Sequence, residues 1–383
     1  MPKRGAQGNG TIRQRPDGRW EARYTAGRDP GTGKQIRKSI YGATQKEVRQ
    51  RLNSIVKELD EGTYTEPSKL TLAQWLRIWQ NDYLGGLKAS SLFNYQDNIN
   101  RRITPVLGAI KLEQLTTHAI QRFYNQLELS PKTVKDVHGV LHKALDQAAL
   151  MGYIRSNPSN ACTLPRVEKQ KINTFSDEQL QDFLQAIAGH RHEMLYRLAL
   201  FTGLRESEIL GLMWNCIDFK KGTVLIDKQL QRERKKGGQY YFSSPKNGKS
   251  RTITPPPFIM KELKKHRAKQ AEAQLLSGAA WEGKGLVFCN EHGGYLSYRT
   301  AYDCYKRIVA NIGCPDMRFH DMRHTFAVTA LRAGVNVKAV QESLGHFSAA
   351  FTLDVYATAT EEMQRESANQ LEAFYSTLKT CKG

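Results

Sequence analysis

The chain has 383 residues, 40% of them apolar and 25% charged, and 57 Lys and Arg against 37 Asp and Glu give it a formal charge of +20. Its 14 Phe, 5 Trp and 16 Tyr exclude a disordered chain, no apolar run approaches the ~18 residues that span a bilayer, and the polar start MPKRGAQGNG lacks a signal-peptide core, so a cytoplasmic setting is expected. Six scattered cysteines without a CxxC pair indicate reduced thiols, with neither disulfides nor a zinc site, while the positive excess points to nucleic acid or, more blandly, to a basic surface.

Residues 1–60 hold 14 Lys and Arg against 6 Asp and Glu, so +8 of the charge lies in under a sixth of the length. Thr11–Arg15 and Arg19–Thr25 read as strands around an Asp17-Gly18 turn. In the second, Trp20, Ala22 and Tyr24 alternate with Arg19, Glu21 and Arg23, the period of a half-buried sheet. A third strand is expected over Lys34–Tyr41, and the capping box Thr44-Gln-Lys-Glu47 opens a helix to about Leu59. The result is a basic module, residues 1–62, with Arg13, Arg15, Arg19 and Arg23 as candidate DNA contacts on an open sheet face. A solvated basic face is the alternative.

The segment Glu61–Leu70 reads as a linker, and Thr71-Leu-Ala-Gln74 caps the next helix, with Leu72, Trp75, Leu76 and Trp79 at helical spacing. Further helices are expected over Ser91–Ile103, ended by Pro105 and Gly108, from near Thr116, and from Pro131 with Val134, Val137, Leu141, Leu145 and Ala148 buried. This is an all-α domain, residues 67–160, followed by a basic linker, residues 161–173, within the stretch Asn157–Asn173. From 174 to 383 the pattern is mixed α+β. Ser176-Asp-Glu-Gln179 caps a helix, another ends near Gly203, and GTVLID is a strand. Two more strands flank SPKNGKS, whose Asn247-Gly248 signals a hairpin tip, and Gly285–Ser297 reads as a short hairpin. Helices then follow over Tyr298–Ile312, His320–Ala333 and Asn336–Leu344, with a short one to about Tyr356 and an amphipathic tail.

Five fragments of this last domain ask for a joint explanation: TGLRESEIL with Arg205, SSPKNGKSRTI with Lys246, RFHDMRHTFA with His320 and Arg323, LGH with His346, and DVY with Tyr356. Singly each is weak, since an Arg on a helix usually makes a surface ion pair and a Lys near a turn is usually solvated. Together, in this order over about 150 residues, they resemble the tyrosine recombinase (phage integrase) family.

The chemistry explains the residue types. Exchanging DNA strands without metal or ATP requires the phosphodiester energy to be kept, which a tyrosine does by forming a covalent ester with phosphorus. Two guanidinium groups suit the charged non-bridging oxygens, and a lysine can protonate the departing 5′ oxygen. The resemblance implies Arg205 and Arg323 as the phosphate clamp and Lys246 as general acid. It further implies His320 as proton acceptor or phosphate ligand, His346 as a phosphate hydrogen-bond donor, Tyr356 as nucleophile, and Glu208 as the acid that steadies Arg205. His324 reads as structural, and Lys249 and Arg251 compete with Lys246 for the basic role.

The same resemblance implies a helical domain and a catalytic domain clamped on the core site, with the first module on arm-type sequences of double-stranded attachment DNA. It also implies a bacterial, DNA-associated enzyme that needs no cofactor. Such a protein is a monomer or weak oligomer when free and a homo-tetramer on DNA, with an excisionase and a host DNA-bending protein as candidate partners and no membrane. The tail face of Met363, Ala368, Leu371, Phe374 and Leu378 can pack in cis or dock on a neighbouring protomer. A non-catalytic DNA-binding protein on the same scaffold and a dimer-resolving recombinase are the competing functions. All six reactive groups are present, against the first, and the N-terminal module argues against the second.

Overall fold

A computed structural model describes residues 10–28, 31–61, 69–168, 172–234, 237–345, 368–369 and 371–372. The chain divides into two compact units, residues 1–168 and 169–383.

The first unit opens with an antiparallel sheet of order β1-β2-β3, made by Thr11–Gln14, Trp20–Arg28 and Gln35–Gly42. One face carries Ala22 and Tyr24, buried against Val48 and Leu52 of α1 (Gln45–Asp60). Thr44 caps α1 by accepting from the Glu47 amide. The other face departs from the sequence reading at one position. Glu21, expected to share an open face with the arginines, is only 2% exposed. It lies under Arg13 and Arg23 and accepts from Arg13 Nε at 2.7 Å, Arg23 Nε at 3.0 Å and Ser39 Oγ at 2.8 Å. A carboxylate on a strand can be buried when several donors satisfy it.

The helical part comprises α2 (Leu72–Asp82), α3 (Ala89–Asn98), α4 (Thr104–Leu107), α5 (Thr117–Gln126) and α6 (Pro131–Leu150). The capping box of Thr71 and Gln74 forms as expected. Trp75 is fully buried, and its indole N–H donates to Ala144 O of α6 at 2.8 Å, so a large apolar ring is placed without an orphaned donor. The expectation that Pro105 ends the third helix needs correction. Ile99–Ile103 widens into a π turn, in which the Thr104 amide reaches back to Ile99 O, and the chain stays helical to Leu107. Proline lies in the first turn after this register change, where its missing N–H costs least. The start of the expected basic linker is also packed: Asn157 Nδ2 donates to His142 O and Asp146 Oδ1, and Cys162 and Leu164 lie against the helical core.

The second unit is mixed. Helices α7 (Asp177–Ala186), α8 (Glu193–Thr202) and α9 (Glu206–Leu210) lead into β4 (Ile217–Asp218), β5 (Thr223–Ile226), β6 (Gln229–Arg232), β7 (Tyr240–Ser243) and β8 (Arg251–Ile253). Then come α10 (Pro257–Ser277), α11 (Tyr298–Asn311), α12 (Asp321–Arg332) and α13 (Val337–Leu344). The expected hairpin around Asn247-Gly248 is corrected by the pairing: β7 pairs with β6 and β8 with β5 in the order β4-β5-β8. The turn therefore joins two different sheets. Gly285–Ser297 likewise forms isolated bridges, Met213 with Leu286 and Cys289 with Tyr295, in place of a regular hairpin.

An aromatic cluster of Phe183, Tyr196, Tyr305 and Phe319 centres this core. The Tyr196 hydroxyl donates to Ala301 O and that of Tyr305 to Arg318 O. Phe319 and Arg318 are thus held just ahead of α12. Among the described residues, no helix is long and apolar enough to cross a membrane, and no group of His, Cys, Asp or Glu is arranged to hold a metal ion.

Candidate active site

Helix α8 stops at Gly203, whose φ of +62° is a left-handed conformation suited to glycine. A β-carbon there would lie 2.5 Å from Phe326 and 2.7 Å from Leu344, so only glycine lets α12 and α13 approach this turn. Arg205 follows as the N-cap of α9. Its backbone amide donates to Glu208 Oε2 at 3.0 Å and its Nη1 to Glu208 Oε1 at 2.9 Å. Glu208 has no exposed side-chain surface and receives a second guanidinium, with Arg251 Nη1 on Oε1 at 3.0 Å and Nη2 on Oε2 at 2.7 Å. Burial opposes ionisation of Glu208, but Arg251 and Arg205 outweigh it and hold the carboxyl below its ordinary value.

Arg323, on the first turn of α12, is 3% exposed. Its Nη1 donates to Gly203 O at 2.7 Å and its Nη2 to Leu344 O at 2.6 Å, tying the turn before Arg205 to the end of α13. That helix end is held by three elements. Ser343 O accepts Arg251 Nε at 2.9 Å, Leu344 O accepts Arg323, and Gly345 O accepts Asn247 Nδ2 at 2.9 Å. The last carbonyls of a helix lack intrahelical donors and carry its negative dipole end, so two guanidiniums and an amide are fitting partners. Gly345, at φ +63°, closes α13, and a β-carbon there would lie 3.1 Å from the Arg251 guanidinium.

His320 precedes α12. Asp321 beside it is fully buried and accepts from the backbone amide and guanidinium of Arg318, which fixes this entry turn. His320 itself is exposed, and desolvation by the groups around it, then His324 and Arg323, press its pKa down to about 4. Its ring meets that of His324 edge-on at 5.0 Å. Lys246 is exposed in a turn closed by the Gly248 amide on Pro245 O at 2.8 Å. The neighbouring Asn247 anchors that turn to Gly345. His346 and Tyr356 lie outside the described residues.

This arrangement gathers permanent cations, a neutral imidazole and an anchored lysine loop around one turn, a constellation suited to gripping a phosphate. The phage integrase family model matches residues 171–363, just over half of the chain, and the N-terminal SAM-like domain of phage integrases matches residues 71–128. The chain belongs to the phage integrase family of tyrosine recombinases.

A XerC-like tyrosine recombinase of Caldanaerobacter subterraneus subsp. tengcongensis is 31% identical over 369 residues, covering 91% of this chain and 93% of the relative. The fold is also that of the Tn1549 transposon integrase in complex with circular-intermediate DNA, at TM-score 0.66 and 22% identity over 78% of this chain and all of the other. A lambda integrase tetramer bound to a Holliday junction matches at TM-score 0.56 and 19% identity, over 93% and 97% of the two chains. Membership makes the protein a site-specific DNA recombinase of the integrase type.

In this recombinase Arg323, Arg251 and Asn247 of the Lys246 turn meet at the end of α13, and Glu208 links Arg251 to Arg205. Of the four N-terminal arginines, Arg13 and Arg23 meet on Glu21, whose pKa is drawn down to about 2 by Ser39 and Arg13 foremost. Arg15 lies 5.4 Å over the Tyr41 ring, and Arg19 pairs with Asp17 at 2.8 Å. Sequence reasoning named Arg251 only as a competitor for Lys246. It is instead the second partner of Glu208, and its place on the same strand face as the buried Ile253, two residues on, was the available signal that it points inward.

Proposed function

We propose that this recombinase cuts and rejoins strands at paired DNA attachment sites through a 3′-phosphotyrosine ester on Tyr356, with exchange through a Holliday junction. The Tyr356 phenol oxygen bonds to the scissile phosphorus while the bond to the 5′ oxygen breaks. The phenol proton passes to neutral His320, and Lys246 Nζ protonates the departing 5′ oxygen, which leaves as a hydroxyl. Arg205 and Arg323, joined by the donor from His346, bind the non-bridging oxygens as their charge grows. Glu208 keeps the Arg205 fork in place. The observation that carries this reading is the bond from Arg323 to Gly203 O, which brings two arginines distant in sequence to one turn.

We assign three tasks to the chain: residues 1–62 to arm-type sites, 67–160 to the core site, and 174–383 to catalysis. Separate hydrophobic cores beneath the sheet module and within the helical bundle support that division. Work as a tetramer on DNA of a mobile element accords with the lambda integrase tetramer on a Holliday junction and the Tn1549 transposon integrase on circular-intermediate DNA. The test is a nicked attachment-site duplex incubated with the protein and a chelator, then run on a denaturing gel. A covalent adduct that disappears in Tyr356→Phe supports the reading. An adduct that survives this substitution moves the nucleophile elsewhere.

A further inference from the structure

A cavity of about 470 Å³ opens in the second unit between the 189–193 turn, α10 and the 281–296 segment. Its volume falls within the range of small-molecule sites. Two features distinguish it from an incidental cleft. His192 lines it at 6% exposure, and its Nε2 is buried with no hydrogen-bond partner. Glu262 lines it too: Oε1 accepts Arg197 at 3.3 Å, while Oε2 is buried and unpartnered. Orphaned buried polar atoms of this kind are rare in native folds, because each forfeits its hydration without return.

The wall adds charge. Lys265 and Lys269 stand one turn apart on α10, both lining the cavity and both exposed, with no ion pair to either among the described residues. Arg197, by contrast, is committed to Glu193 and Glu262, and Arg191 to Glu291. On the floor, His266 is fixed by its Nε2 to Val287 O at 2.8 Å and lies 5.3 Å from the Phe288 ring. The vacant interactions thus differ by depth. Inside are one imidazole nitrogen and one carboxylate oxygen; at the wall are two uncommitted ammonium groups.

We infer that this cavity is a binding site for a small phosphomonoester with a hydroxyl-bearing body, the chemistry shared by nucleotides and sugar phosphates. The phosphate meets Lys265 and Lys269, and a side-chain shift that opens His192 Nε2 and Glu262 Oε2 to the cavity lets the hydroxyls pair with them. A bare anion fits less well, since Glu262 would repel it and the inner atoms would stay unpaired. Burial, then Arg191 and His190, lower the His192 pKa to about 4, so at neutral pH its ring is uncharged and able to share a hydroxyl.

The test is calorimetric titration of the full chain, without DNA, with adenosine 5′-monophosphate, glucose 6-phosphate and inorganic phosphate. One-to-one binding of at least one phosphomonoester, at least tenfold tighter than inorganic phosphate, is expected. Preference between the two identifies a nucleotide or a sugar phosphate as the source. The double substitution Lys265→Ala/Lys269→Ala lies on exposed positions; it should weaken binding at least tenfold and leave suicide-substrate cleavage unchanged. His192→Leu should abolish the advantage over inorganic phosphate, and Arg205→Ala should leave binding intact. The proposal fails if neither phosphomonoester binds saturably, if binding survives the double substitution, or if Arg205→Ala removes it. It also fails if the double substitution lowers duplex affinity and its salt dependence, since the two lysines would then serve DNA phosphates.

Discussion

Arg251 holds Glu208 in a two-pronged ion pair, at 3.0 and 2.7 Å, beneath the arginine that caps α9. One carboxylate therefore serves two guanidiniums, and Arg251 uses its remaining Nε on the end of α13. Through these bonds the Arg205 turn, strand β8 and the chain entering His346 share one polar knot. A buried carboxylate is tolerated there because the charge-assisted bonds replace its lost hydration.

Arg251→Ala leaves Glu208 buried with one partner, and breaking such a pair is expected to cost about 3 kcal/mol of stability at neutral pH. The pH dependence checks the cause. Glu208 is held below its ordinary value of 4.5, so the pair's contribution is present above that pH and is lost as pH falls through the folded value. Denaturant unfolding of both proteins at pH 7.5, 5, 4 and 3 should show a gap that stays constant down to about 4.5 and narrows below it. A constant gap would assign the loss to packing of the Arg251 stem.

What could be read from the sequence, and what could not, divides by range. Capping boxes at Thr71 and Ser176 form as expected because their chemistry is completed within four residues. The Trp75 stripe was legible from periodicity, and motif singled out Arg205 and Arg323, which the Arg323–Gly203 bond brings to one turn. Arg251 was not, because its partner lies 43 residues away and the pairing is set by the sheet. The Asn247-Gly248 turn looked like a hairpin tip for the same reason: the turn residues are local, but which strands they join is decided by β5 and β6. Glu21 was misplaced because alternation reports a face and is silent on how donors from neighbouring strands close over it.

The bond from Asn247 Nδ2 to Gly345 O anchors the loop that carries Lys246. Lys246→Ala should slow cleavage of an ordinary phosphodiester about 10²- to 10⁴-fold, the usual range for losing a general acid. It should leave nearly unchanged the cleavage of a substrate with sulfur at the 5′ bridging position, because a thiolate departs without a proton. Asn247→Ala removes one neutral hydrogen bond worth about 1 kcal/mol, so a loss of roughly fivefold, also rescued by the sulfur substrate, is expected. Equal slowing of both substrates would place these residues outside leaving-group protonation.

Arg205→Lys preserves charge but not the forked geometry that meets Glu208 and, in the proposed mechanism, a phosphate oxygen. Duplex affinity should change less than twofold, while single-turnover cleavage falls at least 10²-fold, comparable to losing a charge-stabilising donor in other transition states. Gel-shift titration and quench-flow cleavage on the same duplex separate the two effects. A parallel loss of affinity would mean that Arg205 contributes chiefly to ground-state binding.

Glu21 places a negative charge beneath the arginines proposed to meet arm-type DNA, and it organises two of them. Glu21→Gln raises the charge of that face by one and releases Arg13 and Arg23 from fixed directions. Affinity for random duplex should therefore rise, with a steeper salt dependence, while the ratio of arm-site to random affinity falls. Competition binding across a salt series measures both. A variant that loses affinity for both duplexes equally would point to a sheet that no longer folds, which circular dichroism would register.

His192 makes the second unit sensitive to acid. Its pKa of about 4 lies below the ordinary 6.5, first because of burial and then because of Arg191 and His190. The unfolded chain consequently binds a proton more readily than the folded one. Stability is full above pH 6.5, erodes as pH falls toward 4 and levels off below that, with a total contribution from this residue of about 3 kcal/mol. His192→Leu has no proton to take up. Between pH 6.5 and 4.5 its unfolding free energy should decline less steeply than that of the parent, even if it is lower at pH 7.5. His320 falls in the same pH window and is retained in the variant, so part of the slope should persist. Identical slopes in the two proteins would show that His192 titrates normally and that its ring is solvated in the folded state.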